Sequence, residues 1–252
     1  MPRLFLLKNF TACFFLSSLQ ACFIFDSSSS PPPSASRRVN YSERTDNAPD
    51  VYVDLNYKNL TMVPRDAFME PRVSVLNMTN NQIVIPNADF SSLPRLRKLN
   101  LAYNKIRSIE NITGVSGVEY LFLNSNDLHA LRGLEKFNHL RILHAAYNKI
   151  LTFADVPSVS TLEELNLSYN ESLADLENLG NYPVLKKINL EYTAISSLQG
   201  LERFSELEEL NVEHTAVKYM SNATYQHLKN KSVRMGSHTV DTFVNAYGVQ
   251  IR

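Results

Sequence analysis

The sequence contains few cysteines, and this excludes a fold held together by disulfide bonds. Of its 252 residues only Cys13 and Cys22 are cysteines, and Cys13 lies inside an apolar N-terminal segment. If that segment is cleaved off, Cys22 has no second cysteine with which to form an intramolecular bond. The folded part of the chain must therefore be stabilised by its hydrophobic core.

Motifs of catalysis are also missing. The chain has only seven glycines and no phosphate-binding glycine loop, and it contains no G-x-S-x-G sequence. The acidic pairs Glu163-Glu164 and Glu208-Glu209 stand at equivalent places in a repeat, which indicates solvated strand flanks. The sequence therefore predicts no enzyme, no cofactor and no metal site. No H-E-x-x-H motif or paired metal spacing occurs among the six histidines, which are His129, His139, His144, His214, His227 and His238.

The chain has no surplus of either charge. It carries 25 basic and 25 acidic residues, so its formal net charge is zero. A protein that binds nucleic acid or an anionic lipid surface through electrostatics needs a basic surplus. We therefore expect neither as a partner.

What the chain does have is a repeat. Eight stretches between Val51 and Val217 fit the template L-x-x-L-x-L-x-x-N-x-L, and the ninth position recurs every 22 or 23 residues. In each copy a short apolar and polar alternation precedes this position, as in Lys98-Leu99-Asn100-Leu101, which predicts a strand with one buried face. The ninth positions are Lys58, Asn81, Asn104, Asn126, Asn148, Asn170, Thr193 and Thr215.

This pattern resembles the leucine-rich repeat family over residues 50 to 220, and its period is similar to that of internalin-like and phosphatase-regulatory proteins. The resemblance implies an α/β solenoid, a horseshoe with a parallel concave sheet and short helical or 3₁₀ convex turns. It also implies a monomeric, non-enzymatic protein that binds another protein or large ligand on the concave face. One repeat cannot bury its apolar face alone, so the copies must stack.

The repeats divide the chain. We assign residues 50–217 to eight repeats and residues 218–252 to a C-terminal cap, which keeps the last repeat from exposing its apolar end. Within the cap we expect a short helix over Asn222 to Lys231. The later Val/Thr/Phe-rich stretch suggests extended chain.

The N-terminus resembles a bacterial lipoprotein signal. Residues 1–21 have a basic start with Arg3 and Lys8 and an apolar centre, and Leu19-Gln20-Ala21-Cys22 fits the lipobox, in which the cysteine is acylated. Residues 22–49 then comprise the lipidated Cys22 and a disordered Ser/Pro tether. The alternative interpretation of this stretch is a spacer whose sequence is not selected. Phe23, in place of the aspartate of the inner-membrane sorting rule, predicts the outer membrane or cell surface.

Two alternatives for this segment stay open. A signal cleaved near Ala21 without acylation would give a secreted protein. An uncleaved anchor over Phe10 to Phe25 has only 16 residues, fewer than the roughly 20 that span a membrane.

The predicted partner-binding residues lie at the outward strand positions. Tyr120, Phe122, Ile142 and His144 form an apolar and aromatic patch on the fourth and fifth repeats, with the composition of an interface hot spot. The alternative is cross-strand packing that only stabilises the sheet. The same column continues with Asn100, Asn166 and Asn189, which serve either as an amide ladder or in carbohydrate recognition.

A further row lies one position before the template asparagine and contains Tyr57, Tyr103, Tyr147, Tyr169, Tyr192 and His214. It either extends the binding surface or shields the turn backbone. Eight N-x-S/T sequons outside the signal segment favour a secreted eukaryotic glycoprotein, although a repeat rich in asparagine creates such sequons by chance. Two other functions remain as alternatives: a structural envelope spacer without a ligand, and an enzyme with a site in the cap. The sequons begin at Asn40, Asn59, Asn77, Asn111, Asn166, Asn170, Asn222 and Asn230.

Overall fold

The computed structural model describes residues 50–251 except 65–69, 85–86, 154–157, 177, 232–233, 236–237, 239 and 248. The predicted signal peptide at 1–21, the predicted lipidation site Cys22 and the predicted tether at 22–49 lie outside the described residues. Within the part that is described, none of the helices combines the length and the apolar character needed to cross a membrane.

The chain forms a solenoid whose coils share one parallel sheet. Each repeat contributes one strand, and strand order follows chain order from β1 to β8. The short strand β10 of the C-terminal segment pairs with β8 and completes nine strands. The repeat strands are β1 (Val51–Asp54), β2 (Val73–Asn77), β3 (Lys98–Asn100), β4 (Tyr120–Phe122), β5 (Ile142–His144), β6 (Glu164–Asn166), β7 (Lys187–Asn189) and β8 (Glu209–Asn211).

The alternation of the sequence determines which way each strand faces. In β3 to β7 the middle residue is buried and its two neighbours are half-buried. Leu99 pairs with Leu121, and Leu121 with Leu143, and all three are fully buried. Equivalent template positions therefore stack into columns, and the apolar columns make one continuous core.

Opposite the sheet, each coil returns through tight turns. Backbone hydrogen bonds three residues apart join Val118 to Val115 and Leu96 to Leu93, which is the short-turn geometry that the resemblance implies. In two coils the turns form 3₁₀ helices, Leu134–Lys136 and Leu201–Arg203. These turns bring a second set of apolar side chains into the core.

The template asparagines bind the backbone where each strand ends. Nδ2 of Asn104 donates to the carbonyls of Met78, Leu101 and Ala102 at 2.9, 3.0 and 3.2 Å. Its Oδ1 accepts the backbone N–H of Ile83 at 3.0 Å. The same arrangement recurs at Asn81, Asn126, Asn148 and Asn170.

The two threonines in this column make fewer hydrogen bonds to the backbone than the asparagines do. Thr193 Oγ1 donates to the Leu190 carbonyl and Thr215 Oγ1 to the Val212 carbonyl, each at 2.7 Å. A hydroxyl reaches one carbonyl of its own coil, whereas an amide reaches three. The column is therefore less regular toward the C-terminal end.

The segment after the last repeat packs on the end of the solenoid. It contains β9 (Tyr219–Met220), α1 (Asn222–Asn230), β10 (Arg234–Met235), α2 (Val240–Tyr247) and β11 (Gln250–Ile251). The expected helix near residues 222–231 is confirmed by α1. The expectation of extended chain further on is wrong for α2, because Val240, Phe243 and Val244 have helical spacing and pack against the core.

Candidate binding surface

The solvent-facing side of the nine-stranded sheet, here called the sheet face, carries all the residues predicted to bind a partner. Each is the first or last residue of a three-residue strand and is half-buried. Their side chains therefore point away from the core. The alternation of apolar and polar residues in each strand is enough to predict that these residues share one face.

Four of these residues form one contiguous patch. Tyr120 and Phe122 of β4 pair in register with Ile142 and His144 of β5. The Phe122 ring meets the His144 ring edge-on, with 5.2 Å between centroids. We call these four residues the aromatic patch.

The aromatic patch is less apolar than its residue types suggest. The Lys98 ammonium lies 5.0 Å from the centroid of the Phe122 ring, a cation–π contact. His144 Nε2 donates to Glu164 Oε1 at 2.6 Å, and this hydrogen bond lowers the pKa of Glu164. Phe122 and His144 thus have partners within the sheet, in agreement with the alternative that they stabilise it.

Tyr120 and Ile142 are placed differently, because both line a shallow depression in the sheet face. Its volume is about 90 Å³, which is enough for one inserted side chain. Small-molecule pockets are usually several hundred Å³. The walls are charged, and Arg141 Nε lies 2.7 Å from Glu163 Oε1, a hydrogen bond that lowers the pKa of Glu163. The lining residues are Tyr120, Arg141, Ile142, Glu163, Glu164, Lys186 and Lys187.

The asparagine column does not form the amide ladder considered from the sequence. Oδ1 of Asn100, Asn166 and Asn189 accepts the backbone N–H two residues further on, at 3.0 to 3.1 Å. In the described part of the chain no hydrogen bond joins two asparagine amides of this column. Each carboxamide therefore supports its own turn.

Along the edge of the sheet face, four rings stack on one another. The centroids of Tyr147 and Tyr169 are 4.1 Å apart, those of Tyr169 and Tyr192 4.5 Å, and those of Tyr192 and His214 4.2 Å. We call these four residues the ring row. A hydrogen bond with the Tyr147 hydroxyl raises the pKa of Tyr169 to about 12.

The ring row has an unusual backbone. All four residues have a φ of 53 to 56°, in the left-handed region. This conformation costs an L-residue roughly 1–2 kcal/mol, and glycine or asparagine adopts it more readily. Ring stacking between coils offsets part of that cost. The sequence predicts the row, but the stacking of its rings depends on the register of successive coils.

Two of the sequons fall on asparagines with a structural role. Asn170 is fully buried among backbone groups, so it cannot carry a glycan in the folded protein. Asn166 points onto the sheet face, where a glycan would cover the neighbouring strands. At these two positions the sequon follows from the asparagine that the repeat requires.

Comparison with known proteins finds a leucine-rich repeat match in the first part of the chain. Residues 51–106 match the family model described as leucine rich repeat. No curated protein is similar in sequence to this chain. The family match covers the first repeats, and the same strand and turn geometry continues beyond them to β8.

Two solved structures have a similar fold. One is an internalin, inlF, from Listeria monocytogenes, with 16% identity and a TM-score of 0.53, covering 69% of this chain and 56% of the internalin chain. The other is TLR13 in complex with ssRNA13, with 23% identity and a TM-score of 0.58, covering 65% of this chain and 24% of the TLR13 chain. This chain thus spans little more than half of the first and a quarter of the second.

Proposed function

We propose that this chain is a non-enzymatic surface protein of a bacterial envelope that binds another protein through its sheet face. The leucine-rich repeat fold is typical of protein-binding scaffolds. The observation that carries the proposal is the depression between β4, β5, β6 and β7. Tyr120 and Ile142 line it together with five charged residues.

This depression suits a protein ligand because of its size and its composition. A volume of about 90 Å³ admits one side chain, and affinity in protein interfaces is concentrated where a few aromatic or apolar side chains enter such recesses. Arg141, Glu163 and Lys187 around it supply both signs of charge, which gives specificity toward a partner with complementary groups.

Protein is a better candidate than nucleic acid as the partner. TLR13 forms a complex with an RNA, but that property belongs to TLR13. This chain has equal numbers of acidic and basic residues. Binding to the phosphate backbone requires a basic surface, which a neutral chain with paired charges does not favour.

We further propose that the protein is held at the membrane by lipid on Cys22. The support is the sequence Leu19-Gln20-Ala21-Cys22 at the end of an apolar segment, followed by a Ser/Pro-rich stretch. Mass spectrometry of the N-terminal peptide from the producing cells tests this. We expect a diacyl or triacyl modification on Cys22, and an unmodified N-terminus further downstream would contradict it.

Photo-crosslinking in the producing cells tests binding through the sheet face. A photoreactive phenylalanine derivative is placed at Ile142, in the depression, and separately at Leu151, which is about as apolar, 50% exposed and outside the sheet strands. We expect a discrete crosslinked protein from position 142 that is missing from position 151.

The partner identified in this way is then purified and its affinity measured. Tyr120→Ala should weaken binding by about tenfold or more, because Tyr120 is the one aromatic side chain that lines the depression. The exposed Glu208 serves as the control, and Glu208→Ala should leave the affinity unchanged. Equal crosslinking from both positions, or equal affinity of both variants, would favour a spacer without a specific ligand.

A further inference from the structure

Three side chains with metal-ligating atoms converge at the C-terminal end of the sheet face. The carboxylates of Glu191 and Glu213 and a ring nitrogen of His214 all lie within 4.8 Å of one another. Both glutamates are half-buried and His214 is exposed. The cluster is separate from the aromatic patch, since it lies on the turns that follow β7 and β8.

The repeat itself brings the two carboxylates together. Asn189 Oδ1 accepts the Glu191 N–H and Asn211 Oδ1 accepts the Glu213 N–H, each at 3.0 Å. The two glutamates are therefore equivalent residues of neighbouring coils, whose strands pair directly. Paired strands are about 4.8 Å apart, so like charges at equivalent positions are forced into proximity.

Acidic residues at this position are confined to the last two coils. The six earlier coils place Asn56, Thr79, Ala102, Asn124, Ala146 and Ser168 there. In the adjoining column the last coil has His214 where three of the four preceding coils have tyrosine. The two glutamates and His214 thus depart from the other repeats at adjacent positions of the same coils. The packing of the repeats does not require these residue types there.

The cluster is also held in place. His214 stacks on Tyr192 with 4.2 Å between ring centroids, and Asn211 Nδ2 donates to Glu191 Oε2 at 3.3 Å. In the described part of the chain no lysine or arginine forms an ion pair with Glu191. A second histidine is close by, with His238 Nδ1 3.9 Å from Glu213 Oε1. Two neighbouring carboxylates repel one another, and a bound cation would remove that repulsion.

We propose that Glu191, Glu213 and His214 bind a divalent transition-metal ion of the Zn²⁺ type. Zn²⁺ accepts a mixture of imidazole nitrogen and carboxylate oxygen, and sites with three protein ligands leave a fourth position open. Ca²⁺ requires six to eight oxygen ligands, and soft ions such as Cu(I) select sulfur. The open position faces solvent at the end of the sheet face, where a partner's side chain can complete the coordination.

Titration of the metal-free full-length protein with Zn²⁺, in competition with a chromophoric chelator, tests this site. We expect one saturable equivalent at this site. His214→Ala and Glu213→Gln should each weaken it by more than about tenfold, since each removes a ligand. His129→Ala is the matched control, because His129 is exposed and lies three coils before Glu191 and four coils before Glu213 and His214. It should leave the affinity unchanged.

Circular dichroism of each variant shows whether the solenoid is intact, so that loss of binding is not confused with unfolding. A parallel titration with Ca²⁺ distinguishes the class of ion. The proposal is overturned if no saturable Zn²⁺ binding occurs, if the His214→Ala and His129→Ala proteins bind equally, or if Ca²⁺ binds as tightly as Zn²⁺.

Discussion

At the scale of single residues, the asparagines of the ninth template position provide hydrogen-bond partners for the backbone of their coils. Asn148 is 7% exposed. Its Nδ2 donates to three carbonyls, those of Leu123, Ala145 and Ala146, and its Oδ1 accepts the N–H of Leu128. One side chain thus satisfies four backbone groups that the turn removes from the regular ladder.

We expect Asn148→Ala to lower the free energy of unfolding by about 2–4 kcal/mol, because buried backbone groups lose their partners. Urea-induced unfolding followed by circular dichroism measures this. Asn100→Ala is the control, since Asn100 lies on the sheet face, where water can replace its one backbone hydrogen bond. It should cost less than about 1 kcal/mol, and equal losses would contradict the role assigned to burial.

A second residue-scale effect concerns pH. Hydrogen bonding to His144 holds the pKa of Glu164 below its usual value, although partial burial opposes this. A carboxyl whose folded-state pKa is depressed contributes stability that is present above its unfolded pKa, about 4.3, and is lost as the pH falls through its folded pKa.

We therefore expect Glu164→Gln to reduce stability at neutral pH and to flatten the loss of stability between about pH 5 and pH 3. Denaturant unfolding across that range measures both effects. Glu208→Gln is the control, because Glu208 is exposed and none of its hydrogen bonds in the described part involves its carboxylate. Parallel pH profiles for the wild type and Glu164→Gln would contradict the coupling to His144.

At the scale of elements, two glycines show how closely successive turns approach. Gly114 has φ 69°, and a Cβ there would lie 2.1 Å from the backbone nitrogen of Ser91 in the preceding coil. Gly200 has φ 94°, but a Cβ there would meet nothing nearer than the Arg203 side chain at 3.7 Å. The first turn needs glycine for conformation and for space, and the second for conformation alone.

Gly200→Ala should cost about 1–2 kcal/mol of stability, the strain of a left-handed residue. Gly114→Ala should cost about 1–3 kcal/mol more, since the backbone of Ser91 must move as well. Thermal unfolding of the two variants provides the comparison. Equal melting temperatures would mean that the turns of neighbouring coils are not in close contact at Gly114.

At the scale of the whole molecule, the C-terminal segment closes one end of the core. Leu228 of α1 is fully buried, as are Met235 and Phe243 further along. Thr224 Oγ1 donates to Glu202 Oε2 at 2.8 Å and so joins α1 to the 3₁₀ helix Leu201–Arg203, which lies between β7 and β8. The stability of a solenoid is approximately a sum over its repeats and over the contacts between neighbouring repeats. The contact between the C-terminal segment and the last repeat is therefore one term in the stability of the whole solenoid.

Leu228→Ala should lower the free energy of unfolding by about 2–5 kcal/mol, the usual cost of a cavity in a core. Gln226→Ala, on the exposed side of the same helix, should change it by less than about 0.5 kcal/mol. Chemical unfolding gives both values. If Leu228→Ala lowered the free energy of unfolding no more than Gln226→Ala does, α1 would not cover the end of the hydrophobic core.

Much of this architecture could be read from periodicity. The spacing of Asn81, Asn104, Asn126 and Asn148 gives the coil length, and the alternation around Leu99 gives the face that each strand buries. Both patterns are local and recur in eight repeats. A repeat that departs from the template can therefore be aligned by means of the repeats on either side of it. The same register placed Tyr120, Phe122, Ile142 and His144 side by side.

Other features depend on contacts that no local pattern contains. Val240, Phe243 and Val244 of α2 have helical spacing, but three apolar positions in a Val/Thr/Phe-rich stretch also fit extended chain, and packing against the end of the solenoid decides between the two. The Asn100 amide bonds to its own turn instead of to a neighbour, which depends on how the backbone leaves the strand.

The period of the chain alone establishes a stacked parallel solenoid, because a repeating apolar face leaves only one way to be buried. Which exposed groups meet was settled by the packing of one coil on the next. Glu191 and Glu213 are 22 residues apart in the sequence, yet their carboxylates are neighbours since adjacent coils pair in register. His214 directly follows Glu213 in the chain, and its ring is held beside the two carboxylates by stacking on Tyr192.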